Sequence, residues 1–166
     1  MNKVTDILKF ICMLLFLASI NLNAQDCYND IRKVFERNIE LNNKFLSSNE
    51  EEDRDNLEKY TEEKLHPVLH IFQENTCVRF DSCLFAEFTK LLLNNNNSAD
   101  EFPANSLGHI FICQTVKTTW FIKNMNKKDR DIIVKLLEFG FLNESMKDED
   151  KDYSQQYRSL KNLKET

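Results

Sequence analysis

Glycine is nearly absent from this sequence. Gly108 and Gly140 are the only two glycines among 166 residues, and proline also occurs only twice. Loops that cradle nucleotide phosphates, and the sharp turn that carries a serine nucleophile, need glycines where the backbone approaches a ligand or bends. Tight β-hairpins of the Asn-Gly or Asp-Gly type are missing as well. The chain therefore lacks the glycine-dependent catalytic motifs, and its composition favours helices.

The sequence also has no long basic stripe. Lys and Arg total 22 against 27 Asp and Glu, which gives a formal net charge of −5. Proteins that bind nucleic acids or anionic membranes neutralise phosphates with clustered basic side chains. The acidic balance therefore disfavours nucleic acid and anionic lipid, and it suits solubility or a basic protein partner.

Residues 1–24 have the pattern of a cleaved secretory signal peptide. Two lysines precede the apolar run 10–20, which is shorter than the roughly 20 residues that span a bilayer, and Ala24 is a small residue at the expected cut. The "NAQ" junction resembles those of exported proteins of Gram-negative bacteria, which implies a periplasmic or extracellular location. No stable membrane anchor is expected after cleavage, because Cys27 does not directly follow a small residue.

Apolar residues recur at helical spacing through most of the chain after this signal. The sequence predicts an all-α, single-domain, disulfide-stapled bundle of about five to six helices over residues 25–146. Residues 147–166 are mostly charged and are predicted to be a C-terminal helix or a flexible tail. Residues 106–124 are rich in β-branched side chains, so a strand stays open there as an alternative to the preferred single helix.

Several residues predict where helices begin and end. Asp81 or Ser82 is suited to cap a third helix, and Asn126 followed by Asp129 fits the start of a later one. Pro67 predicts a kink, or a break after Leu65. Gly140 is placed where a left-handed residue ends a helix.

Four cysteines follow the signal: Cys27, Cys77, Cys83 and Cys113. An even number in an exported protein predicts structural disulfides. The five residues between Cys77 and Cys83 are more than the two to four that usually separate paired zinc ligands, and no C-x-x-C motif is present. Of the three possible pairings, an antiparallel hairpin of the first two helices favours Cys27–Cys77 with Cys83–Cys113.

Candidate catalytic and metal-binding side chains are weakly indicated. His66, His70 and Glu74 are spaced four residues apart, so in a helix they would lie on one face, as metal ligands can. Pro67 interrupts this helical pattern. Surface or packing histidines are the favoured interpretation. A nucleophile needs a nearby base and an oxyanion donor, and Ser82 and Ser106 are better explained as helix caps and the cysteines as disulfide-bonded. We therefore expect no enzyme, no metal and no cofactor.

The acidic segment Glu50, Glu51, Glu52 and Asp53 follows Ser48, and Ser48 with Glu51 fits a capping box. Such a segment is usually a solvated helix start. As a functional patch it is expected to face a basic protein partner.

The working hypothesis is an exported, non-enzymatic helical protein that binds another protein, as an inhibitor, an immunity factor or an envelope accessory protein. One alternative is a secreted helical signalling protein, for which the glycosylation sequons at Asn96 and Asn143 would count. The other is a carrier whose phenylalanines line a cavity for a lipophilic ligand.

Overall fold

The structure is a computed structural model that describes residues 28–96, 98–148 and 150–165, and the predicted signal peptide lies outside these ranges. The described residues contain helices and no strand, which confirms the all-α class. The helices are α1 (28–48), α2 (Glu51–Tyr60), a π-helical segment (Thr61–Leu65), α3 (His66–Val78), α4 (Ser82–Asn94), α5 (Phe102–Cys113), α6 (Thr115–Lys123), α7 (Lys127–Ser145) and α8 (Ser154–Lys164).

The second predicted helix is continuous through Pro67, and the π-helical segment is the reason. Within it the chain changes to a wider register, in which the amide of His66 donates to the carbonyl of Thr61, five residues earlier. Pro67 has no amide to offer, and in a regular helix its ring would clash with the carbonyl four residues before it. Because α2, the π-helical segment and α3 form one rod, the described residues contain seven rods, more than the five to six predicted.

Residues 106–124 are helical, so the strand alternative is wrong, but they do not form one helix. The backbone breaks at Gln114, with φ −129° and ψ 39°, and separates α5 from α6. The side-chain amide of Gln114 donates to the carbonyl of Cys77 at 2.6 Å. Helix α5 also begins earlier than residues 105–106, at Phe102, because Pro103 fits the first helical turn.

The predicted helix ends are correct where a side chain caps locally. Asp81 accepts from the amides of Cys83 and Leu84, and Asn126 accepts from the amide of Asp129. The prediction for Gly140 is wrong, because α7 continues through it to Ser145.

Gly140 is needed for close packing of α7 on α5. A Cβ atom added to Gly140 would overlap the carbonyl oxygen of Ala104, and one added to Gly108 would overlap the backbone of Gly140. The two helix backbones therefore touch, and we call this contact the glycine seam. Phe111 and Phe141 pack edge to face beside it, with ring centroids 5.5 Å apart. An amide hydrogen bond of 2.9 Å joins Asn143 to Asn105 across it.

A second packing centre consists of phenylalanines on α1, α3 and α4. The ring centroids of Phe35, Phe72 and Phe88 lie 4.8–5.9 Å from one another, and all three side chains are buried. Phe85 extends the cluster to Phe121 of α6 at 5.0 Å. These rings contact one another and form part of the core.

The described disulfide joins Cys77, at the end of α3, to Cys113, at the end of α5. The predicted pairing of Cys27 with Cys77 and Cys83 with Cys113 is therefore wrong. Cys83 carries an exposed free thiol, and Cys27 lies outside the described residues. Helices α1 and α2 do run antiparallel, as the contacts Lys44–Asp53 and Asn38–Thr61 indicate. In that register the start of α1 is level with the middle of α3, well short of Cys77.

The C-terminal helix α8 packs on the bundle through Leu160 and Leu163, which are buried. It contacts α6 and α7. Among the described residues, no helix combines the length and apolar character needed to cross a bilayer.

Candidate functional site

A groove with a volume of about 490 Å³ lies between the C-terminal half of α1, the α2–π rod and the loop that connects α4 to α5. Its walls include Phe45, Leu46 and Leu57, and the Leu46 side chain is 67% exposed. Its charged lining comprises Arg54, Glu58, Glu62, His66 and Asp100. A volume of this size is within the range of about 300–1,000 Å³ that is common for ligand pockets.

Asparagine side chains form a hydrogen-bond network beside the groove. The Asn38 side chain is fully buried, donates to the hydroxyl of Thr61 at 3.0 Å and accepts from Asn95 at 2.8 Å. Asn42 donates to the side chain and the backbone carbonyl of Asn94. These hydrogen bonds join α1 to the π-helical segment and to the residues at the end of α4.

The charge of the groove lining is predominantly negative. The guanidinium of Arg54 is shared by Glu51 at 3.2 Å, Asp55 at 3.7 Å and Glu58 at 3.8 Å. Glu62 is exposed and, within residues 28–96, 98–148 and 150–165, has no ion pair. A cationic group that enters the groove would therefore find an unpaired carboxylate there.

Of the predicted acidic patch Glu50, Glu51, Glu52 and Asp53, the first three are exposed and the fourth is buried. Glu50 is the residue before α2, and Glu51 and Glu52 are exposed in its first turn. Asp53 is buried: Lys44 donates to it at 2.5 Å and the Ser48 hydroxyl at 2.6 Å. These two hydrogen bonds hold the pKa of Asp53 below its usual range, and the one from Lys44 has the larger effect. Ser48 thus binds Asp53 and does not form the predicted capping box with Glu51.

A histidine and an aspartate meet at one end of the groove. Nε2 of His66 lies 3.0 Å from Oδ2 of Asp100, and the His66 ring stacks on Phe102 with centroids 4.6 Å apart. Ser98 also lines the groove, but its hydroxyl oxygen accepts from the amide of Asp100 at 3.1 Å. In the described part of the chain no hydrogen bond joins Ser98 to His66, so the serine has no base to activate it.

The remaining histidines belong to packing contacts. His70 lies edge-on to Phe102 at 4.8 Å, and His109 lies between Glu74 at 3.6 Å and Glu144 at 3.7 Å. His66 and His70 therefore both pack on Phe102, whereas Glu74 lies beside His109. Among the described side chains no three His, Cys, Asp or Glu residues are grouped as a metal site would require.

The sequence analysis missed the groove because its residues come from three separate segments. The local signal in the sequence is the run of asparagines at 94–97, a residue type that usually indicates a polar turn. Two of its members, Asn94 and Asn95, instead bond to α1.

Searches with protein-family models, among curated proteins and among solved structures find no match to this chain. The inference of function therefore depends on the geometry of the groove and on the surface around it.

Proposed function

We propose that this protein is an exported, non-enzymatic binding protein whose groove holds a basic, amphipathic segment of a partner protein. The observation that carries the proposal is the combination of apolar walls with an unpaired carboxylate at Glu62. Amphipathic helices commonly dock their apolar face in such grooves while charges at the rim select the partner.

The apolar part of the groove supplies the binding energy in this proposal. Phe45 and Leu57 are half-buried and Leu46 is mostly exposed, so a docked segment removes all three from water. Burial of one such side chain contributes about 1.5–3 kcal/mol. Arg54 is already shared by three carboxylates, so it offers little repulsion to an incoming lysine or arginine.

Two further observations support a binding role outside the cytosol. The groove holds a His–Asp pair without an activated nucleophile beside it, which favours binding over catalysis. A disulfide without a membrane-spanning helix in the described residues is compatible with export.

The test is a binding titration with the full chain after signal removal and with its disulfide intact. The probe is a fluorescein-labelled, twelve-residue amphipathic helix of leucine and lysine, and its matched counterpart carries glutamate in place of lysine. Saturable binding of the basic peptide is expected, with at least tenfold weaker binding of the acidic one, as for loss of one or more charge pairs.

Two variants on one rod locate the binding site. Glu62→Lys lies in the groove, whereas Glu63→Lys makes the same charge change one residue along, outside the groove lining. Glu62→Lys is expected to weaken basic-peptide binding about tenfold, and Glu63→Lys to leave it nearly unchanged. Equal affinity for both peptides, or equal loss in both variants, would contradict the proposal.

A further inference from the structure

The outward face of α6 is apolar and exposed. Val116 is 70% exposed and Trp120, the only tryptophan of the chain, is 65% exposed. Thr115, Thr118 and Ile122 are buried on the inward face. With about 100° between successive helical residues, Val116 and Trp120 point away from the bundle together.

This face is also basic, in a chain that is acidic as a whole. Lys117 and Lys123 flank Trp120 on the same side of α6, and both are exposed. Neither lysine has an ion pair with any residue that the structure describes. Tryptophan is enriched at the centres of protein interfaces and among the residues that contribute most to binding, whereas charged residues are more common at the rim.

The proposed function requires a basic, amphipathic segment in the groove. Helix α6 fits this description, because its exposed face is apolar and is flanked by lysines. Helix α6 has nine residues and is therefore about 13 Å long, and the groove-lining stretch of the rod from Arg54 to Glu62 rises about 12 Å. Helix α6 packs mainly on α5, α7 and α8, which do not line the groove. It also contacts α4, but through Phe85 near the start of that helix, whereas Asn94 at its end is the α4 residue in the groove lining. One copy of the chain can therefore offer both surfaces at once.

We infer that the partner in the groove is α6 of a second copy of this chain. Trp120 and Val116 of one copy enter between Leu46 and Leu57 of the next, and Lys123 pairs with Glu62. This inference rests on the proposed function of the groove and names its occupant. The two surfaces differ, so the pairing is head-to-tail and produces a ring or an open chain of copies.

The test is sedimentation velocity of the disulfide-intact chain over a concentration series that reaches the millimolar range. Wild-type protein is expected to associate with increasing concentration, and less strongly at high salt. Trp120→Ala and Glu62→Lys are each expected to weaken association about thirtyfold or more, as for an interface hot spot. Ile71→Ala removes another exposed apolar side chain, on α3, and should have no effect.

A mixture of the two variants tests the head-to-tail geometry. Trp120→Ala retains the groove and Glu62→Lys retains α6, so an equimolar mixture should form dimers although each variant alone stays monomeric. The single tryptophan adds a direct signal, because its emission should shift to shorter wavelength as α6 is buried.

Three results would overturn the inference: a wild-type chain that stays monomeric, a mixture that stays monomeric, or association lost in Trp120→Ala but not in Glu62→Lys. If the wild-type chain stays monomeric while the basic peptide still binds in the groove, the self-pairing is wrong and the proposed function stands. If the peptide also fails to bind, both are wrong.

Discussion

The glycine seam and the groove are two regions of one bundle that differ in how closely their helices pack. At the seam, Gly108 and Gly140 let two backbones touch, and one added carbon atom has no space. At the groove, helices are joined by the side-chain amides of Asn38, Asn42 and Asn94, and a cavity of about 490 Å³ lies beside them. We therefore expect changes at the seam to affect mainly stability, and changes at the groove to affect mainly the proposed binding.

Loss of the Cys77–Cys113 disulfide should have the largest effect on stability. The bond joins α3 to the end of α5 and closes a loop with a sequence separation of 36, so the double variant Cys77→Ala/Cys113→Ala should lose about 4 kcal/mol in the chain-entropy model. Urea unfolding measures this loss. Cys83→Ala, which removes the exposed thiol, is the matched control and should change the unfolding free energy by less than about 0.5 kcal/mol. Equal losses in the two would contradict the assignment.

Gly140→Ala tests the seam itself. Helix propensity alone predicts a gain of about 1 kcal/mol from this change. The added Cβ would overlap the Ala104 carbonyl, however, so we expect a loss of about 3 kcal/mol. Lys135→Ala, on the exposed side of the same helix, should stay within about 0.5 kcal/mol of wild type. A stabilised Gly140→Ala variant would show that the helices are farther apart than described.

The correct and the wrong predictions from the sequence differ in whether they depend on local or on distant contacts. The caps Asp81 and Asn126 were predicted correctly because a cap depends on residues two or three positions away. Gly140 and the cysteine pairing were predicted wrongly because they depend on which distant segments meet. Spacing along the chain reveals that a glycine is unusual, but not that another helix backbone lies against it. The groove was missed for the same reason.

Acid should weaken the contact between α1 and α2 that Asp53 makes with Lys44 and Ser48. The pKa of Asp53 is lowered from the usual 3.8 by hydrogen bonds from Lys44 and Ser48. A carboxyl whose pKa is lower in the folded state stabilises the fold above its unfolded pKa, and that stabilisation is lost as the pH falls through the folded value. Asp53→Asn should therefore have a lower unfolding free energy than wild type at pH 7. Below about pH 4 its unfolding free energy should decrease less steeply than that of wild type. Urea unfolding from pH 2 to pH 7 measures this, and parallel acid limbs in variant and wild type would contradict it.

Leu46→Ser should weaken peptide binding and should change the stability of the fold less than the other variants do. Its side chain is mostly exposed, so the unfolding free energy should change by no more than about 0.5 kcal/mol. Binding of the basic peptide should weaken about tenfold, because an apolar wall of the groove is lost. Val78→Ser, at an even more exposed position outside the groove, should change neither quantity.

Amide hydrogen exchange with and without the basic peptide compares the two regions in one measurement. We predict that bound peptide slows exchange in residues 42–62, 94–96 and 98–100, around the groove. Amides of the seam, in α5 and α7, should be the slowest to exchange in the free chain and should not change on binding. Protection that falls on α5 and α7, or no protection around the groove at saturating peptide, would contradict the assignment of binding to the groove.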